Sequence, residues 1–259
     1  ASLTADQMGA LTTNEAIALT TSQVKVLGAD QIRALSTASV AALTTGQLQA
    51  LTTTQVASLT NNTVASLTTD QVSALSTTQV KVLADSVVTG LSTDQLTALT
   101  TSQVSALTAS QVRAFTTTEV AALTTGQVKA LTATQVGALE NADMVAMSTD
   151  QVSVLNTTQV AALTLGMVSV LSTDQVVALT TDQAQALTSD QLTKLATTQI
   201  AALQSDDVNQ FSTLEISSLS TRQIGALSAD ALNNMDGSLF SSITSGQIAS
   251  LSNVQLAAL

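Results

Sequence analysis

The chain is 259 residues long, with no His, Cys, Trp, Tyr or Pro and only 3 Phe. Seven Lys and Arg stand against 18 Asp and Glu, a net charge of −11 and a pI near 4.1. This composition excludes Cys/His zinc sites, the usual haem ligands, Ser–His and Cys–His nucleophiles, disulfides and aromatic stacking platforms. The acidic balance makes nucleic acid and anionic lipid poor partners, because like charges repel. No apolar run approaches the ~18–20 residues of a membrane span. No basic segment precedes an apolar one at the N-terminus, so no signal peptide is expected. Charged residues make up 10% of the chain, well under the usual ~25%, and Thr, Ser and Gln fill the gap.

From the N-terminus, Leu3, Leu11, Leu19, Leu27 and Leu35 open a series spaced by eight that continues without insertion or deletion to Leu259. All its members are apolar; Phe115, Met147, Phe211, Met235 and Ile243 are the departures from Leu. With this residue as slot 1, the consensus is L-T-T-x-Q-V-x-A. Slot 6 is apolar in every octad, and slot 2 is Ser or Thr in 25 of 32. Slot 5 is Gln in 21 and Glu in three, at Glu15, Glu119 and Glu215.

The period selects the backbone. In a continuous α-helix eight residues advance about 800°, a net ~80°, so the slot-1 residues would spiral around the helix and share no face. In an unbroken strand slots 1 and 6 would point to opposite faces. A β-solenoid with a turn in each octad restores the parity and is the alternative, but its turns want Gly, Asn or Asp at fixed places, and only 10 Gly serve 32 octads.

A short helix in every octad fits best. Slot 2 Ser/Thr with slot 5 Gln/Glu is a capping box, and slot 1 Leu with slot 6 Val is the hydrophobic staple around it. Ten acids, including Asp6, Asp30, Asp70, Asp94 and Asp150, occupy slot 4, in the first turn, where the helix dipole favours negative charge. The expected fold is an all-α solenoid with one short capped helix per octad, slots 1, 6 and 8 buried and slots 4 and 7 in water. Lys25, Arg33, Lys81, Arg113 and Lys129 in slot 7 agree with that assignment. Asp pairs 24 residues apart, such as Asp6/Asp30 and Asp150/Asp174, hint at three octads per coil.

The array reads as one continuous solenoid over residues 1–259. The octad Glu140–Met147 loses its Thr cap, and the pattern becomes less regular after about residue 203. Glu140 with Asp143, and Asp206 with Asp207, are the only acid pairs to weigh as weak Ca²⁺ ligands. With no EF-hand or Gly-rich Asp nonapeptide they read as solvated acids. No catalytic, cofactor-binding or metal-binding residue is assigned, and no cofactor is expected. The chain enters in mid-octad at Ala1-Ser2-Leu3 and leaves on a slot-1 Leu259. Solenoids carry polar caps where their cores would otherwise be open, so the expectation is end-to-end association of protomers, or continuation into neighbouring segments of a longer chain.

The stretch Leu67-Thr68-Thr69-Asp70-Gln71-Val72-Ser73-Ala74-Leu75 resembles the first helix of TAL-effector repeats. That likeness carries the helix start and not the DNA binding, since the base-reading loop and second helix are missing. Along its whole length the chain also resembles the tandem A-L-T-T-x-Q-V-x arrays of large bacterial secreted and surface proteins. This resemblance implies a location outside the cell or on its surface.

The function expected is non-enzymatic and structural: a subunit or segment of an extracellular filament, stalk or adhesin. A solenoid binding module for peptide or glycan ligands is the alternative; its sites would break the slot rules. Ice binding by Thr rows ranks below both, because the caps use the slot-2 hydroxyls internally.

Overall fold

The computed structural model describes residues 3–259; the Ala1-Ser2 part of the mid-octad start lies outside the described residues. Among the described residues there are 32 α-helices and no strand, from α1 (Ala5–Gly9) to α32 (Asn253–Ala258), one in each octad. Each is four to six residues long. The capped-helix reading therefore stands, and the β-solenoid does not. None of these helices is long and apolar enough to cross a membrane.

Two extended residues, in slots 1 and 2, lead into each helix, and after a six-residue helix they form the whole connection. Leu99 (φ −59°, ψ 131°) closes α12 (Thr93–Ala98), and Thr100 (φ −66°, ψ 157°) opens α13 (Thr101–Ala106). Both conformations suit any L-residue, and no described residue has a positive φ. The bend thus needs no left-handed glycine, which is why so few glycines serve so many bends. The Thr100 hydroxyl accepts from the Gln103 backbone N–H at 3.2 Å, and Gln103 Oε1 accepts from the Thr100 N–H at 2.7 Å. Ala196 lacks a hydroxyl and keeps half of the box: the Gln199 Oε1 still accepts its N–H, at 2.6 Å. Asn156 substitutes its own Oδ1 as the acceptor for the Gln159 N–H, at 3.0 Å.

The contacts divide the chain into two compact units, Ala1–Leu131 and Thr132–Leu259. In the first unit every helix packs on the third one along: α1 on α4 (Ala29–Ala34), α2 (Thr13–Ala18) on α5 (Thr37–Ala42), and so on to α13 on α16 (Thr125–Ala130). The second unit repeats the arrangement, from α17 (Ala133–Val136) on α20 (Thr157–Ala161) to α29 (Ala229–Asn233) on α32. One coil of each unit is therefore three octads, the number the Asp spacing hinted at. No helix this short holds in water alone; stacking between coils supplies its stability.

The core of each unit is a column of slot-6 and slot-1 side chains. Val104, Val128, Val160 and Ile200 are fully buried, and the slot-1 residues Leu99, Phe115 and Leu155 retain at most a few per cent of their surface. Burying each such side chain contributes roughly 1.5–3 kcal/mol. The expected burial pattern needs correction at two slots. Slot 8 is half-buried or exposed: Val26 is 81% exposed, and Ala98 and Ala106 are intermediate. Slot 5, read only as a cap partner, is buried nearly throughout; Gln79, Gln103 and Gln127 each keep 2% of their surface.

Candidate functional site

A buried carboxamide must find partners for both its oxygen and its nitrogen, and slot 5 divides the task. On α10 (Thr77–Lys81), Gln79 Oε1 accepts from the Ser76 N–H at 2.8 Å. Its Nε2 reaches into the coil beneath and donates to the Leu48 and Leu51 carbonyls at 2.8 and 2.9 Å. Leu48 lies near the C-terminus of α6 (Thr45–Ala50), and Leu51 forms the bend into α7 (Thr53–Ala57), on which α10 packs. Helix C-termini leave carbonyls without intrahelical partners; here the next coil satisfies them. The register is the same within each unit: the tied glutamines from Gln47 to Gln127, and from Gln175 onward, donate to residues 28 and 30 or 31 positions earlier. Gln103 takes Val72 and Leu75, and Gln111 takes Val80 and Leu83. In the second unit Gln199 takes Val168 and Leu171, and Gln223 takes Leu192 and Leu195. One side chain thus caps its own helix and ties it to the coil below.

Sequence reasoning assigned the first role and missed the second. The signal was the choice of amide: Glu serves a capping box as well as Gln, yet 21 of 24 such slots are Gln. A donor is therefore favoured there, and a carboxylate has none.

The exceptions show what the tie demands. Ser39 on α5 donates its Oγ to the Leu11 carbonyl at 3.0 Å, a shorter version of the same bond. Thr63 on α8 (Asn61–Ala65) turns its hydroxyl to Thr60 in its own turn. Met167 on α21 (Leu165–Ser169) places its sulfur 3.5 Å from the Thr164 N–H. Glu119 on α15 (Thr117–Ala122) keeps the cap, with Oε2 accepting from the Thr116 N–H at 2.7 Å and hydroxyl at 2.8 Å. Its Oε1 is buried with no partner. By register, that oxygen belongs opposite the Val88 and Leu91 carbonyls, where a glutamine would present an N–H. At the start of the first unit Glu15 is exposed. The Thr12 backbone N–H and then its hydroxyl hold the Glu15 carboxyl below the usual range.

The two acid pairs read as solvated are placed differently by the structure. Asp143 and Asp207 occupy slot 5 and are buried; Glu140 and Asp206 are exposed. Asp143 accepts from the Glu140 N–H at 2.8 Å, and Asp207 from the Gln204 N–H at 3.2 Å. Burial pushes the Asp207 carboxyl above its ordinary value against the pull of the Gln204 N–H, and the nearby Asp206 charge adds to the rise. Asp143 and Asp207 thus each supply the reach-back half of a capping box, with no side-chain cap bond from Glu140 or Gln204, and only one member of each acid pair is solvated. Among the described residues, no three carboxylates converge as a metal site would require.

In the second unit a polar cleft lies between α26 (Ser205–Val208) and α29, lined by Gln204, Asp206, Asn209, Asp230 and Asn234 among others. Its side chains bond mainly across the coils. Ser205 donates to Asp230, Asn209 Nδ2 to the Asn234 carbonyl at 2.8 Å, and the Asp236 N–H to Asn209 Oδ1 at 3.0 Å. Gln204 Nε2 reaches the Val177 carbonyl at 3.1 Å. These bonds stand where slot 5, as Asp207 and Ala231, offers no amide.

Compared with known proteins, the chain matches the model of the ALTTAQ repeat at residues 30–61, 109–141, 136–173 and 200–236, together just over half of its length. No curated protein matches it.

Proposed function

The chain belongs to the ALTTAQ repeat family, and from that premise we propose that it is a non-enzymatic structural protein, a segment or subunit of an extracellular filament, stalk or adhesin. The observation that carries the proposal is the tie between coils. The upper face of a coil offers slot-6 and slot-1 carbonyls, and the lower face of the next offers slot-5 amides, as Gln79 does to Leu48 and Leu51. Such an interface is heterologous and does not close on itself, so it propagates along one direction. It fits end-to-end association of copies or continuation into further octads. The Ser- and Thr-rich surface of a chain with only 10% charged residues and no exposed aromatic cluster supports a spacer more than a receptor.

Negative-stain microscopy of the purified 259-residue protein across a concentration series tests association. Linear polymers that lengthen with concentration are expected. Particles of a single length at the highest concentration would remove self-assembly and leave only the role of a segment.

A second reading, a binding module for peptide or glycan ligands, is favoured by the cleft between α26 and α29, where Gln204, Asn209 and Asn234 break the slot rules. It ranks second because those amides bond to the neighbouring coils.

A further inference from the structure

Position within the coil sorts the slot-5 residues. Counted in steps of 24, one series runs Gln7, Gln31, Gln55, Gln79, Gln103 and Gln127 in the first unit. It continues as Gln151, Gln175, Gln199, Gln223 and Gln247 in the second. It has no exception. Every slot-5 position that is not Gln falls in the other two series: Glu15, Ser39, Thr63, Val87 and Glu119 in the first unit, and Asp143, Met167, Asp207, Glu215, Ala231 and Leu239 in the second.

The helices of one series stack directly on one another, as α7, α10 and α13 do, so each series forms one edge of the coil. In the first unit the glutamine edge is tied at every step from Gln31 to Gln127. The edge that carries Ser39 has two consecutive steps, Thr63 and Val87, where slot 5 sends no donor to the coil beneath. The third edge is tied through Gln47, Gln71 and Gln95 and ends at the orphaned oxygen of Glu119. The second unit has the same inequality. Gln175, Gln199, Gln223 and Gln247 are all tied. Met167, Glu215 and Leu239 interrupt one of its other edges; on the remaining one slot 5 sends no donor at Asp207 and Ala231, and side chains of other slots, Gln204, Ser205 and Asn209, bond across the coils instead.

We infer that each unit is hinged along its glutamine edge: that edge holds successive coils together, and the coils part first along the other two. Slots 1 and 6 are apolar on all three edges; what divides the edges into tied and untied steps is slot 5. The ties between coils set the preference, since each buried carbonyl that loses its donor bears a desolvation cost. A fluctuation that opens one coil from the next therefore swings about the glutamine edge, and the unit flexes in one plane.

Hydrogen exchange at two backbone amides in matching caps tests the hinge. Thr100 and Thr116 are both N-caps whose N–H donates to a slot-5 side-chain oxygen at 2.7 Å, that of Gln103 and that of Glu119. Gln103 is tied to the coil beneath on the glutamine edge, and Glu119 is an untied step of another edge. In the full 259-residue protein, measured by NMR at a concentration where it is monomeric, the Thr116 amide should exchange about tenfold faster than that of Thr100, the factor given by one or two net hydrogen bonds. Restoring the donor with Glu119→Gln should bring Thr116 to the level of Thr100. Equal rates at Thr100 and Thr116 in the native protein would overturn the inference, and so would a Thr116 rate unmoved by Glu119→Gln. Both measurements are made on the monomer, so their outcome is independent of whether copies associate.

Discussion

The difference between a carboxamide and a carboxylate decides most of what a single slot-5 residue can do. Gln supplies an acceptor to its own N-cap and donors to the coil beneath; Glu and Asp supply only the acceptor. Asp207 shows the consequence in acid–base terms. Its carboxyl is buried on α26, with its folded pKa raised above the unfolded value. Between those two values the native state binds more protons than the unfolded chain, so stability falls as pH rises across that window. Below it the contribution is neutral; above it the full cost of the buried charge remains. Asp207→Asn keeps an oxygen for the Gln204 N–H and removes the charge. We expect the variant to be more stable than the native protein at neutral pH, with the difference vanishing in acid, in urea unfolding series at several pH values. A gain that persists undiminished in acid would show that charge is not the cause. None of this was legible in the octad pattern, which marks Asp207 as an irregular slot but cannot say that slot 5 is buried.

At the level of the helix, the capping box is what makes so short an element possible. Val and Thr are mediocre helix formers, and five residues form barely more than one turn, so the cap satisfies a large share of the backbone donors. Ala196, at the N-cap of α25 (Thr197–Ala202), has no side-chain acceptor for the Gln199 N–H. Ala196→Ser should stabilise the protein by about 1 kcal/mol, and Thr100→Ala should destabilise it by a similar amount. Urea denaturation followed by far-UV circular dichroism reads both; two changes of the same sign would contradict the cap assignment. This layer of the fold was legible in the sequence, because cap, staple and first-turn acid are local signals that recur in one register, the cap hydroxyl in 25 of 32 octads and the slot-4 acid in ten. Burial at slots 5 and 8 was not. It depends on where the next coil lies, and slot 8 ends up beside the bend, where small size matters more than exclusion of water.

Across the whole chain, the eight-residue period hides a second one of three octads. The sequence shows it faintly in the Asp spacing and plainly in the unbroken glutamine series, once the role of the Nε2 donor is known. Charge follows the same longer period: Asp182, Asp206 and Asp230 recur on α23 (Thr181–Gln185), α26 and α29, which stack in that order. Eleven of the 18 acids and only two of the seven basic residues fall between residues 132 and 259. Self-repulsion of this kind is screened by salt over about 10 Å at 0.1 M. The midpoint of thermal unfolding should therefore rise with sodium chloride, and calorimetry over a salt series would show it. A midpoint independent of salt would mean that the stacked acids are too well solvated to oppose folding.

The extended two-residue bend admits octads in any number, since neither its backbone angles nor the cap depends on what lies three helices away. The ties from slot 5 do depend on it. An inserted octad would preserve every cap and every core side chain yet carry all downstream glutamines from one edge of the coil to the next. The hinge would then be discontinuous at the insertion. An insertion of three octads leaves it straight. Growth of such an array by duplication therefore has a natural quantum, the full coil, and an ancestral history written in single octads would be visible today as a spine that changes edges.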